Sequence, residues 1–190
     1  MSSAMLNELP RYASIQEAAK NYPELDTNAC DLFLSLLRTG DVAMSVETRY
    51  LGRFGITPGR FAVMLLLGVQ EPITRKPSEL AEMTGVTRAT MTGLLDTLER
   101  DKFIVRAIDP SDRRSMKVES TAECRNLLKD VLPGYFRLIS AIPATLTEEE
   151  LAEFNRLTKK IQDGLVLAEK KFAEQNLNGQ AAPMNSAVYA

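Results

Sequence analysis

At 190 residues, with 45% hydrophobic content and a net charge of −2, the chain can bury one real core, and its composition excludes a disordered or fibrous protein. It has no histidine and two widely separated cysteines, Cys30 and Cys124, so zinc sites and histidine-based acid–base or triad chemistry lose their usual residues, and the thiols read as reduced. The start carries no signal-peptide pattern and no apolar run is long enough to span a bilayer, so the expectation is a cytoplasmic protein with no membrane partner, metal, cofactor or enzymatic activity.

In chain order, residues 1–24 read as an N-terminal extension around Pro10 and Pro23, with a short helix over 15–19. Residues 25–56 hold a long helix capped by Asp26 or Thr27, carrying Leu32, Phe33, Leu36, Leu37, Met44, Tyr50 and Leu51; Gly40 is a place for it to bend, and Gly52 and Gly55 end it. Thr57 followed by Pro58 is a hydroxyl cap with proline at the first helical position. It leads into FAVMLLLGV, apolar almost all round and therefore the central buried helix.

Residues 57–120 then follow a helix–turn–helix–hairpin order. PSELAEMT, 77–84, is a helix with proline first, but the residue before it, Lys76, cannot accept from the free backbone N–H groups, so the start reads as undercapped; that lysine meets either a phosphate or solvent. Gly85 makes the turn. From Thr87 a second helix places Ala89, Met91, Leu94, Leu95 and Leu98 on one buried stripe, with Arg88, Thr90, Thr92, Gly93 and Thr97 outside it. Residues 103–105 and 116–118 read as two short strands joined by a Pro-Ser-Asp-Arg-Arg loop too polar to fold inward. From 75 to 117 there are nine Lys/Arg against seven Asp/Glu, a net of +2 that leaves −4 for the rest, so the charge has the sign needed for nucleic acid and only marginal weight.

Residues 121–175 complete a mainly α fold. Ser120 or Thr121 caps a helix through Leu127, Leu128, Val131 and Leu132, which Pro133-Gly134 interrupts or kinks. Thr147 and Glu150 form a capping box for a last amphipathic helix with Leu151, Phe154, Leu157, Ile161, Leu165 and Leu167 or Ala168 inward, and residues 176–190 read as a flexible tail.

Three motifs in this order, PSELAEMTGVTRATMTGLLDTLERD, DPSDRRS and STAECR, resemble the MarR family of winged helix-turn-helix transcriptional regulators, over about residues 26–174. The resemblance implies a mainly α fold with a small β-hairpin wing, and a homodimer in which the first helix (25–56) and the last helices (121–175) of each subunit interlock. The apolar surface of those helices, larger than a three-helix core can cover, asks for the same partner. A two-fold dimer reads double-stranded DNA as an inverted repeat with half-sites ~34 Å apart.

The family's recognition helix enters the major groove by its first turn, which here presents Thr87, Arg88, Thr90 and Thr92. Arg88 either reads a guanine or holds a phosphate, and the threonines serve phosphates or a thymine methyl. Ser78, at the preceding helix start, joins backbone N–H groups on a phosphate. At the wing tip Arg114 matches the family arginine of the minor groove, Asp112 orients it, and Arg113 adds a phosphate contact. The resemblance further implies a repressor released by a small, often aromatic or anionic ligand. No residue identifies that ligand; Arg38, Arg49 and Arg60 read as anion partners or, more commonly, as exposed or salt-bridged side chains.

Cys30 lies where one branch of the family keeps a peroxide-sensing cysteine, but Leu34, Leu37 and Met44 replace the tyrosines that branch uses, which favours a structural thiol over a redox switch. Cys124 replaces a family glycine and reads as packing. Asp101-Lys102 also stands where the family commonly has glycine, which implies a differently shaped helix end. The competing reading is a winged-helix adaptor that binds a protein and no DNA.

Overall fold

The computed structural model describes residues 17, 20–69, 71–109 and 112–177, without the side chains of 109, 112–115, 176 and 177. The helix expected over 15–19, apart from residue 17, and the tail beyond 177 lie outside the described residues. The fold is mainly α: α1 (Thr27–Gly52), α2 (Pro58–Leu66), α3 (Pro77–Thr84), α4 (Arg88–Arg100), the strands β1 (Ile104–Asp109) and β2 (Asp112–Ser120), α5 (Ala122–Ala141), a 3-10 turn (Ile142–Thr145) and α6 (Glu148–Leu177). The chain divides into two compact units, Met1–Tyr135 and Phe136–Ala190.

Local chemistry sets most of the boundaries. Asp26 caps α1, accepting from the N–H groups of Asn28 and Ala29, and Thr57 caps α2 ahead of Pro58. Gly85 ends α3 in the left-handed conformation, φ 68°, which costs glycine nothing. Thr121, rather than Ser120, caps α5, accepting from the Cys124 N–H at 3.2 Å, while the buried Ser120 hydroxyl donates to the Leu67 carbonyl at 3.0 Å. The Thr147–Glu150 capping box forms in both directions, at 2.8 and 3.2 Å.

In the first unit α2 runs through the middle, with Phe61, Val63, Met64 and Leu67 buried against Leu80 of α3, Met91, Leu95 and Leu98 of α4, and Leu128 and Val131 of α5. Two of the expected stripe positions on α4 differ: Leu94 is half-buried and Ala89 is exposed, because α3 and α2 cover a narrower arc than the sequence stripe spans. The hairpin is longer than expected, and it gains a third partner where Arg75 bridges Val118 through two backbone hydrogen bonds of 3.0 and 2.8 Å.

Pro133 does not interrupt α5, which runs unbroken from Ala122 to Ala141. Pro133 and Lys129, whose carbonyl loses its helical donor, both face water, while Leu128, Val131 and Leu132 keep the helix seated on the core. Beside the proline, the Tyr50 hydroxyl donates to the Val131 carbonyl at 2.7 Å, directly over Gly134, where any Cβ would overlap it. Tyr135 donates to Glu47 at 2.9 Å and stacks edge-on against Phe61, centroids 4.8 Å apart. Burial and the neighbouring Glu47 push the Tyr135 phenol up to about 12.

In the second unit none of the described side chains of α6 is fully buried, and Leu151 and Ile161 are half-buried. Phe154, Leu157 and Leu165, expected inward, are exposed.

Candidate nucleic-acid interface

The turn from α3 to α4 is closed by hydrogen bonds from Gly85 N to the Glu82 carbonyl, 3.2 Å, and from Val86 N to the Ala81 carbonyl, 3.1 Å. This presents the starts of both helices. At α3 the Glu79 carboxylate accepts the Lys76 N–H at 2.9 Å, half of a capping box, but no side chain caps the helix's own first N–H groups. Ser78 sits exposed in that first turn, beside donors that an anion can accept.

At α4, Thr87 is the cap. Its oxygen accepts from the Thr90 N–H at 3.1 Å and lies 2.9 Å from the Thr90 hydroxyl. Of the two hydroxyl protons, one is used within the pair and one remains for an outside acceptor. Thr92 donates to the Arg88 carbonyl at 3.0 Å, so its proton is committed and its methyl is the group left for a partner. The Arg88 side chain is exposed and makes no hydrogen bond or ion pair among the described residues. Four of the five expected contacts on the paired helices, Thr87, Arg88, Thr90 and Thr92, therefore share one exposed turn, with Ser78 on the adjacent helix start.

The hairpin places the other three differently from expectation. Asp112, Arg113 and Arg114 belong to the backbone of β2 rather than to a loop, and their side chains lie outside the described residues. Ile108 pairs with Met116 and Asp109 with Asp112, so Arg113, Arg114 and Ser115 fall in an irregularity with no residue opposite them.

Two arginines tie this region together, Arg60 and, unsuspected from the sequence, Arg106. Arg60, 13% exposed, pairs with Asp101 at 2.6 Å and lies 5.7 Å from the Phe103 ring centre, which commits it to the α4 end as the salt-bridged side chain that was the commoner of its two readings. Arg106 of β1 reaches back to α4, 2.7 Å from Asp96 and 3.4 Å from Glu99. Period-two alternation with Ile104 and Ile108 was the signal for its inward direction.

Lys102 stands at φ 63°, so the turn after α4 takes the left-handed shape a glycine would give, and the expectation of a differently shaped end is corrected. The Thr121 hydroxyl, 2.8 Å from the Lys102 carbonyl, and the Phe103 N–H, 2.9 Å from the Leu98 carbonyl, hold the turn in place. A lysine there carries the steric cost of that conformation. Lys102→Gly is expected to raise stability by ~1 kcal/mol, read as a Tm about 2–4 °C higher; an unchanged or lower Tm would show that the turn tolerates a Cβ freely.

Cys30 is half-exposed in the first turns of α1, whereas Cys124 is fully buried under the start of α5. Burial pushes the Cys124 thiol up to about 11, with Arg125 pulling weakly the other way. A thiol reagent at pH 8 is therefore expected to modify one cysteine per native chain, Cys30, and both only after unfolding. Above the unfolded thiol's pKa the unfolded chain releases its proton first, so Cys124 withdraws stability as pH rises from about 9 toward 11.

Among the described residues, no cluster of His, Cys, Asp or Glu is placed to hold a metal, and no helix is long and apolar enough to cross a membrane. The MarR family model matches residues 56–116, from the residue before Thr57 through the middle of β2. The HTH-type transcriptional repressor YetL of Bacillus subtilis is 36% identical over 152 residues, covering 80% of this chain and 91% of YetL. In fold alone, the S. aureus MepR–DNA complex aligns with a TM-score of 0.60 at 23% identity, covering 68% of this chain and 96% of that one. Bordetella bronchiseptica BpsR, a structure concerned with regulation of DNA binding by 6-hydroxynicotinic acid, aligns with a TM-score of 0.60 at 20% identity, covering 75% and 96%. With the helix–turn–helix, the hairpin and this extent of likeness to YetL, the chain belongs to the MarR family of winged helix-turn-helix transcriptional regulators.

Proposed function

We propose that this regulator is a homodimeric, sequence-specific DNA-binding repressor acting in the cytoplasm, not an enzyme, and that a small aromatic or anionic ligand releases it. The observation that carries the reading is the first turn of α4: the Arg88 side chain is exposed and unpaired among the described residues, on a turn already rigidified by the Thr87–Thr90 and Thr92–Arg88 hydrogen bonds. Such a turn loses little entropy on entering a groove. Arg88 reads a base there and the Thr92 methyl meets a thymine. The spare Thr87–Thr90 proton and Ser78 hold phosphates, Arg113 adds another, and Arg114, oriented by Asp112, enters the minor groove. YetL being a repressor, MepR being seen with DNA, and 6-hydroxynicotinic acid, an aromatic acid, acting on BpsR support the repressor, DNA and effector parts in turn.

In this reading residues 57–120 bind DNA, and 25–56 and 121–175 dimerise. Within the chain α1 exposes Leu32, Phe33, Val42 and Met44, and α6 exposes Phe154, Leu157, Leu165 and Phe172, the first two lining an apolar groove of about 500 Å³ with Leu146. Apolar faces of that extent, exposed among the described residues, support a second copy as the occupant.

Selection of bound fragments from random DNA tests the function. Enrichment of an inverted repeat bound by two protomers, with affinity falling steeply as salt rises, is the expected result. Absence of any enrichment at low salt would favour the protein-binding adaptor instead.

A further inference from the structure

Building on that DNA-binding reading, we infer that Arg106 is a positioning residue: it sets the angle of the wing against the recognition helix by clamping β1 to Asp96 and Glu99 of α4. The residues of β1 that face inward follow one another outward from the core. Ile104, opposite Ser120, is buried; Arg106, opposite Val118, is next; Ile108 and Met116 beyond it are both exposed. Arg106 is thus the outermost described side chain of that face engaged with α4. Its own side chain is 19% exposed, whereas its two acceptors sit one helical turn apart on the α4 surface.

The geometry suits a clamp. One terminal nitrogen meets Asp96 at 2.7 Å. Nε is buried without a hydrogen bond and has Glu99 at 3.4 Å, so the second carboxylate acts as a charge partner that keeps the guanidinium from swinging away. The other anchors of the hairpin described above lie toward its base, at the buried Ile104 and Val118 and the Arg75 bridge to Val118. The tip lies five residues from Ile104, ~17 Å at strand rise, so a tilt of ~10° carries it ~3 Å, enough to misplace a side chain in a groove.

Two other accounts of Arg106 are distinguishable. A direct phosphate contact would be lost with Arg106 alone and would lower the salt slope. Plain charge compensation would make neutralising the carboxylates strengthen DNA binding, since it removes two negative charges from the recognition helix. A clamp requires the opposite.

The experiment compares Arg106→Ala with the double variant Asp96→Asn/Glu99→Gln in the full chain. The second variant alters only surface carboxylates, so it folds whether or not the first does. Both are expected to bind the selected operator roughly tenfold more weakly, with random-sequence DNA and the salt slope nearly unchanged. Without DNA, amides of 105–109 and 116–118 in both variants are expected to exchange hydrogen roughly tenfold faster than in wild type, while those around Leu128 and Val131 keep their protection. Tighter or unaltered operator binding by the double variant, or unaltered exchange in the hairpin, overturns the inference. If wild type bound no DNA, the DNA-binding reading would fall, and the hydrogen exchange would still decide whether Arg106 holds the wing.

Discussion

Arg88→Ala is expected to weaken binding to the selected operator by ~1–3 kcal/mol per half-site, and by about twice that for a dimer engaging both halves. The reason lies in the turn that carries it. Thr87, Thr90 and Thr92 have most of their hydrogen-bonding capacity committed within α4, so Arg88 is the side chain there with five free donors and the reach to bridge the two acceptors of a guanine. Loss of discrimination at one symmetric pair of positions is the signature of base reading. A loss equal on every sequence, with a salt slope lower by about 1 per half-site, would assign Arg88 to a phosphate instead. Thermal stability is expected to stay within ~0.5 kcal/mol, because the side chain is exposed and unpaired among the described residues.

Gly134→Ala is expected to destabilise the fold by ~1–3 kcal/mol, even though alanine is intrinsically the better helix former. The added methyl would run into the Tyr50 hydroxyl and come within 3.1 Å of Cζ. Tyr50 cannot retreat without giving up its 2.7 Å bond to the Val131 carbonyl and its place against Phe54 and Tyr135. Denaturant unfolding of Gly134→Ala, Tyr50→Phe and the pair checks this. Removing the hydroxyl should lower the cost of the methyl, giving a non-additive cycle; strict additivity would mean that Tyr50 is not what excludes a side chain at 134.

The helix starts at Asp26, Thr57 and Thr147, the glycine turn at 85 and the two-helix-plus-hairpin order were all legible in the sequence, because each depends on groups within about four residues of one another. The exposed first turn of α4 was legible for the same reason: a capping threonine followed by polar residues has little choice of direction.

What only the tertiary structure decided depends on groups far apart in the chain. Whether Pro133 would break α5 rested on how firmly Leu128, Val131 and Leu132 sit on the core, and whether Lys102 would tolerate a glycine's conformation rested on Thr121, nineteen residues away. Arg60 found Asp101 forty-one residues on, Tyr50 crossed to Val131, and Arg75 joined the sheet at Val118. Arg106 shows the limit most plainly. Alternation sends it to the inner face, but an inward arginine has no meaning until α4 brings two carboxylates within reach, and that docking is fixed by the shared burial of Met91, Leu95, Leu98 and Ile104, not by any residue near Arg106 in the chain.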